Sequence, residues 1–335
     1  MTMETQAVLH TKQAVIRREH AIQVKVPLPF PLRWVNAYLL RGGDGWTLID
    51  PGLRTAAAEA LWTQALAELG IGWRDIDRIV LTHHHPDHYG LAGWFQERTG
   101  APVLLSGTGL EQVKLLWGEG EPMTARLLEL FRRHGMPEEQ LAPMREHMDS
   151  FVPLVSPQPE VTVIARGERI RLGAAEYEAL EMPGHAAGHL CFYRREEEVV
   201  FCGDHVLPQI SPNVSYLPGV DENPLASYLA SLDSVRTLPV RMAYPGHREP
   251  FSRFGERAAE LIRHHGERLE TMLAMAASPK TAYDVCREAF GDKLSLHQLR
   301  FALSETIAHL IWLREAGRAA EETGADGATV LYRRR

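Results

Sequence analysis

A chain of 335 residues, 45% apolar and 24% charged, can bury a sizeable core without disulfide staples, and it exceeds the usual span of one domain. The formal net charge of -7 argues against a surface coated for nucleic-acid backbones. Three widely spaced cysteines, Cys191, Cys202 and Cys286, exclude a disulfide framework and fit small core thiols of a reducing compartment.

From the N-terminus, Met1–Gln23 is polar and mixed in charge, with no apolar run to act as a signal sequence. No later segment approaches the apolar length of a membrane span, so a cytoplasmic protein is expected. Strands are predicted at Ile22–Val26, Val35–Leu40 and Trp46–Asp50, divided by the Pro-rich stretch 27–31 and the turn at 42–45. Apolar spacing predicts a helix over Thr55–Leu69, stopped before Gly70, then a buried strand over Ile76–Thr82. A helix at Leu91–Arg98 and a strand at Val103–Ser106 continue a strand–helix alternation that marks an α/β layered fold.

Residues 107–152 interrupt that rhythm. They carry helical patches at Gly109–Leu116, Thr124–His134 and Glu138–Met148, and four methionines, Met123, Met136, Met144 and Met148. Such an insertion is either extra packing or the wall or lid of a pocket, for which methionine is a pliable lining. Strands resume at Val161–Ala165, Glu168–Leu172, Tyr177–Met182, Leu190–Tyr193 and Val199–Cys202; a helix at Leu225–Thr237 and a short strand before Pro245 follow. The chain then turns helical over Glu256–Ala276, Thr281–Phe290 and Ser295–Ala316, and ends in a hairpin candidate, Ala319–Arg335. Three helices and a hairpin outline a small winged-helix-like domain over residues 255–335, behind a catalytic domain over 1–254.

The chemistry concentrates in Thr82-His83-His84-His85-Pro86-Asp87-His88, directly after a predicted strand. Alternate residues of an extended segment point the same way, so His83 and His85 can converge on one ion. Asp87 and His88, on the next turn, can reach a second. Imidazole and carboxylate without thiolate suit catalytic zinc, iron or manganese better than a structural zinc. Three further segments each place a potential ligand after a strand and a glycine: Pro183-Gly184-His185, Gly203-Asp204 and Pro245-Gly246-His247.

These four motifs, in this order over roughly residues 20–250, resemble the metallo-β-lactamase superfamily. His83, His85, Asp87 and His88 match its H-x-H-x-D-H signature completely. The resemblance implies an αββα sandwich and a site for two divalent metal ions, zinc first, with iron or manganese as alternatives. It assigns His83, His85 and His185 to one metal, Asp87, His88 and His247 to the other, and Asp204 to both. It also implies a metal-activated hydroxide acting on an ester or thioester, with Asp87 orienting it.

Around these ligands, Asp50 in Leu48-Ile49-Asp50-Pro51-Gly52 is expected to accept a hydrogen bond from a ligand imidazole, against the plainer reading of a strand-ending turn. His189 fits a buried hydrogen-bonding role. His84 is expected to point toward solvent or the opposite face, and His205, against a place near the mouth, to be a bystander. Adjacent helical positions diverge, so His264 and His265 should not share a metal.

Departures from the resemblance narrow the substrate. Leu207 stands where acyl-homoserine lactonases commonly carry Tyr, and Val206–Asn213 lacks the Gly-Cys-Gly segment of hydroxyacylglutathione hydrolases. The overall plan looks like the lactamase-beta-2-like branch, some members of which are endoribonucleases. Residues 256–335 hold as many Lys and Arg as Asp and Glu, which weakens a nucleic-acid role and favours a packing or dimerising tail. A small-molecule ester or thioester is therefore the leading expectation. A nuclease or phosphodiesterase is the alternative, and a mononuclear iron persulfide dioxygenase is disfavoured by the complete second ligand set.

Overall fold

The computed structural model describes residues 11–118 and 122–335. Of the N-terminal stretch read as lacking a signal sequence, residues 1–10 lie outside it. The first sheet runs in the order β1 (Val15–Arg17), β2 (Ile22–Pro27), β3 (Trp34–Arg41), β4 (Trp46–Ile49), β5 (Ile76–Val80), β6 (Val103–Ser106) and β7 (Val161–Ile164). Its neighbours are antiparallel as far as β4 and parallel beyond it.

The second sheet comprises β8 (Arg169–Leu172), β9 (Ala175–Glu181), β10 (Leu190–Arg194), β11 (Val199–Gly203) and β12 (Met242–Pro245), ordered β12-β11-β10-β9-β8. Within it only β11 and β12 run parallel. Helices α1 (Thr11–Ala14), α2 (Ala56–Leu69), α3 (Pro86–Tyr89) and α4 (Ala92–Thr99) belong to the first half of the chain. Between β6 and β7 lie α5 (Gly107–Trp117), α6 (Pro122–Arg133) and α7 (Glu138–Asp149); α8 (Pro224–Val235) links β11 to β12. Last come α9 (Phe254–Met275), α10 (Ala282–Phe290), α11 (Leu296–Glu315) and the hairpin β13 (Ala319–Thr323) with β14 (Val330–Arg334).

Strand alternation sorts side chains into three layers. From β3, Val35, Ala37 and Leu39 join Trp62 and Leu66 of α2 and Phe95 of α4 on the outer face of the first sheet. Tyr38 and Leu40, the intervening residues, turn inward to meet Val199 and Phe201 of β11 between the sheets. Val200 and Cys202 point the other way, toward Leu232 of α8 and Leu261 of α9. The result is the αββα sandwich.

Helix boundaries follow their caps. Thr55 accepts from the Ala58 N–H to open α2, and Gly70 closes it in the left-handed region at φ 67°. Capping boxes, Thr281 with Asp284 and Ser295 with Gln298, open α10 and α11. The outer core of the second sheet is continuous with the C-terminal helices, since Phe131 and Met144 of the insertion share one apolar cluster with Leu269, Leu303 and Ile307. All three cysteines are buried and free. Among the described residues no helix is long and apolar enough to cross a membrane.

Candidate metal centre and its cavity

Five strands end at one edge of the sandwich and carry the candidate residues there. Asp50 follows β4, the His83–His88 run follows β5, His185 follows β9, Asp204 follows β11, and His247 follows β12. Two of the tight departures need glycine for backbone reasons: Gly184 has φ 124° and Gly203 has φ 47°. At Gly246 the constraint is space, because a Cβ there would lie 2.2 Å from Asp204 Oδ1 and 2.5 Å from His88 Cε1.

The residues converge into three overlapping groups with the spacing to hold an ion: His83, His85 and His185; His83, His88 and Asp204; Asp87, His88 and His247. The rings of His83 and His85 are 4.6 Å apart, and His185 lies 5.0 and 4.6 Å from them. The Asp204 carboxylate reaches toward both sides of the cluster, 3.8 Å from His185 Nε2, 3.5 Å from His88 Nε2 and 3.3 Å from His247 Nε2. His247 Nε2 is also 3.2 Å from Asp87 Oδ2.

Outer hydrogen bonds decide which nitrogen faces inward. His185 Nδ1 is 2.7 Å from the Asn213 carbonyl and His247 Nδ1 is 3.0 Å from the Trp34 carbonyl, so each must donate there. His88 Nδ1 donates to Asp50 Oδ2 at 2.9 Å, and His83 Nδ1 donates to Thr82 Oγ1 at 2.9 Å, whose own proton goes to Asp50. Asp50 further accepts from the Thr82 N–H at 2.8 Å. All four rings thus turn an unprotonated Nε2 toward the cluster when neutral.

His83 Nε2, His88 Nε2, His185 Nε2 and Asp204 Oδ1 are sealed from solvent without a hydrogen-bond partner. Polar atoms buried in this way are costly unless something binds them. A divalent cation fits that donor set of imidazole nitrogens and carboxylate oxygens.

The electrostatics agree. Burial and the neighbouring imidazoles hold His83 and His85 well below the usual histidine pKa, so both are neutral donors. Burial opposes charge on His88 and His247 too, but Asp204, with Asp50 and Asp87 for His88 and Asp87 for His247, outweighs it. His88 therefore lies well above the ordinary range and His247 rises to about 10. Burial would raise Asp204, yet His247 and His88 hold it well below the usual carboxylate range. Excess anionic field in a closed site is what attracts cations.

The remaining histidines fall outside the cluster. His189 Nε2 accepts from the Asp204 N–H at 3.2 Å, and its ring stacks on His83. His84 does not reach solvent: it is buried, and burial pulls its pKa down to about 3. It lies in the wall of the cavity that opens over the cluster. His205 is likewise interior rather than at a mouth, packed edge-on against Tyr228. His264 and His265 do not share an ion group; His265 instead pairs through Nδ1 with His309 Nε2 at 3.1 Å, beside Glu305.

A cavity of about 530 Å³ opens over the cluster, lined there by His85, Asp87, His185, Asp204 and His247. Its walls are largely apolar. Phe30 contributes, whereas Trp34 and Tyr216 do not; Trp34 serves through its carbonyl, and Ser215 and Leu217 line the wall on either side of Tyr216. The insertion supplies Leu116, Trp117, Thr124, Leu127 and Met148, while its other methionines pack into the core. Arg248 is not part of the lining; its carbonyl accepts from Asn36 Nδ2 at 2.6 Å.

Known proteins bear on this arrangement. A family profile described as the metallo-beta-lactamase superfamily matches residues 32–247. The chain belongs to that superfamily. A second profile, the metallo-beta-lactamase-like C-terminal domain, matches residues 269–334. Among solved structures of the superfamily, a metallo-beta-lactamase family protein from Thermus thermophilus is 38% identical, with a TM-score of 0.83 over 95% of this chain and 99% of that one. A beta-lactamase domain protein from Burkholderia ambifaria is 31% identical, with a TM-score of 0.84 over 96% and 94%.

Among curated relatives, the probable metallo-hydrolase YqjP of Bacillus subtilis is 29% identical over 302 residues, 87% of this chain and 91% of the relative. An atrochrysone carboxyl ACP thioesterase of Aspergillus fumigatus is 28% identical over 222 residues, 66% of this chain and 53% of the relative. The chain is accordingly a metallo-hydrolase of this superfamily.

Proposed function

We propose that this metallo-hydrolase is binuclear and cleaves a carboxylic ester or thioester whose acyl portion is apolar. The observation that carries the reading is a cluster of buried, unpartnered donors, two of which, His185 and Asp204, line a largely apolar cavity. His83, His85 and His185 would hold one metal ion and Asp87, His88 and His247 the other, with the Asp204 carboxylate within reach of both groups. Bound there, divalent cations, zinc first, would supply Lewis acidity for the scissile carbonyl and for water.

The chain's own residues do the rest. Asp87 faces the cavity and lies beside His247, which places its carboxylate to orient the attacking water and take its proton. Hydrolysis forms a bond from the water oxygen to the acyl carbon and breaks the bond to the alkoxide or thiolate. Asp87 then returns the proton to that leaving group. Asp50 and Thr82 hold the imidazoles of His88 and His83 in their donor orientation. His189 fixes the Asp204 backbone.

The apolar wall favours an acyl chain over a polynucleotide, and the relative named as a thioesterase supports the thioester among the candidates. Residues from 255 onward form a winged-helix-like domain that closes the cavity, since Phe290, Leu294, His297, Phe301 and Glu305 line it. Turnover of thioester, ester and lactone panels by the metal-loaded protein tests the reading. Asp87→Ala should lower kcat by about 10²–10⁴-fold, the usual weight of a positioned acid–base group. No acyl turnover, together with cleavage of single-stranded RNA, would replace it by the nuclease reading.

A further inference from the structure

The helix that closes the cavity also brings a cation to it. Arg300 lies in the second turn of α11, half-buried, and lines the same cavity as Asp87 and His247. Its guanidinium sits over two rings, 4.4 Å from the centre of Phe301 and 5.1 Å from that of Phe151. Among the described residues it has neither a hydrogen-bond acceptor nor a carboxylate within ion-pair distance.

Arginines close by are treated differently. Arg268 pairs with Glu305, and Arg257 donates to the carbonyls of Leu207 and Ile210 and to Glu260. Cation–π contact satisfies the face of a guanidinium but not its N–H edge, whose five donors still want acceptors. Burial without a counter-charge pulls Arg300 down to about 10, so it remains a cation at neutral pH.

A group with a buried, unpartnered atom stands one turn earlier. His297 lines the cavity, stacks on Phe30 at 4.7 Å, and has a buried Nδ1 with no partner. A cation and an imidazole with an unpartnered Nδ1, both lining the cavity, form a site for an anion.

We propose that the substrate carries an anionic group, a carboxylate or a phosphate, which pairs with Arg300 while its scissile carbonyl lies at the metal centre. This deepens, and rests on, the reading of the cavity as an acyl ester or thioester site. Two sources supply such a group: a carboxylate at the far end of the acyl chain, or a phosphate on the thiol portion, as in phosphopantetheine. In either case the apolar section between spans Phe30, Phe151 and Phe301.

Binding of three stable thioethers to the zinc-loaded protein separates the possibilities: S-butylpantetheine, which is neutral, S-(4-carboxybutyl)pantetheine, and S-butylphosphopantetheine. Calorimetry is expected to show one anionic ligand binding at least tenfold more tightly than the neutral one. Which of the two does so identifies the source of the charge. Arg300→Met should abolish that ratio and Arg300→Lys should keep part of it.

Equal affinity for all three ligands, or a ratio unchanged in Arg300→Met, overturns the proposal. Turnover of the corresponding thioesters is read separately. Its absence would overturn the thioester reading alone, because the binding ratio does not depend on chemistry.

Discussion

Asp50 illustrates how much of the site depends on atoms that touch no metal. It accepts from the Thr82 N–H, the Thr82 hydroxyl and His88 Nδ1 at once, and it does so from a left-handed backbone with φ 49°. Asparagine keeps the shape but replaces one acceptor oxygen with a donor, which must then face another donor. Asp50→Asn should weaken zinc binding by about 10–100-fold, the usual cost of losing such a support, with the far-ultraviolet circular dichroism unchanged. Zinc affinity equal to that of the parent protein would mean that the carboxylate does not orient His88.

At this scale, legibility depends on residue type. His83, His85, Asp87 and His88 can be read because histidine and aspartate are rare together and their spacing matches an extended segment running into a turn. The acceptors behind His185 and His247 cannot. They are the carbonyls of Asn213 and Trp34, and a backbone carbonyl leaves no mark in the residue letters. His84 is buried in the cavity wall rather than turned to solvent because alternation sets a direction for a side chain but not what packs around it.

Among the elements, the strands of both sheets are visible from period-two patterning, and helix starts from Thr55, Thr281 and Ser295. The short edge strand Val15–Arg17 is not, since three residues carry no period. The insertion at 107–152 is legible as helical but ambiguous in purpose. Its two candidate roles are divided along the helices, one turn apart on the same face: Leu127 and Met148 line the cavity, while Phe131 and Met144 are buried in the cluster shared with the C-terminal helices.

That division makes α6 a structural element as well as a wall. Phe131 has no exposed surface. Phe131→Ala should destabilise the protein by about 3–5 kcal/mol in urea denaturation, the range for emptying an aromatic site in a core. A loss below about 1 kcal/mol would show that α6 is a lid packed loosely on the rest.

For the whole molecule, the sandwich edge gathers the candidate ligands from strands far apart in the chain, and α11 with the end of α10 lines the cavity over them. Sequence order shows that the motifs belong together, because loops after strands meet at a sheet edge. It does not show that Arg300 and His297 face the same cavity as Asp87, more than two hundred residues earlier. Only packing of α11 against α7, α8 and α9 brings them there.

As proposed, one chain holds a pair of metal ions through His83, His85, His185, Asp87, His88, His247 and Asp204. Titrating the metal-free protein with zinc while following thioester hydrolysis tests it most directly. Activity should rise to a plateau at two equivalents of zinc per chain. Full activity at one equivalent, with no gain from the second, would contradict the account.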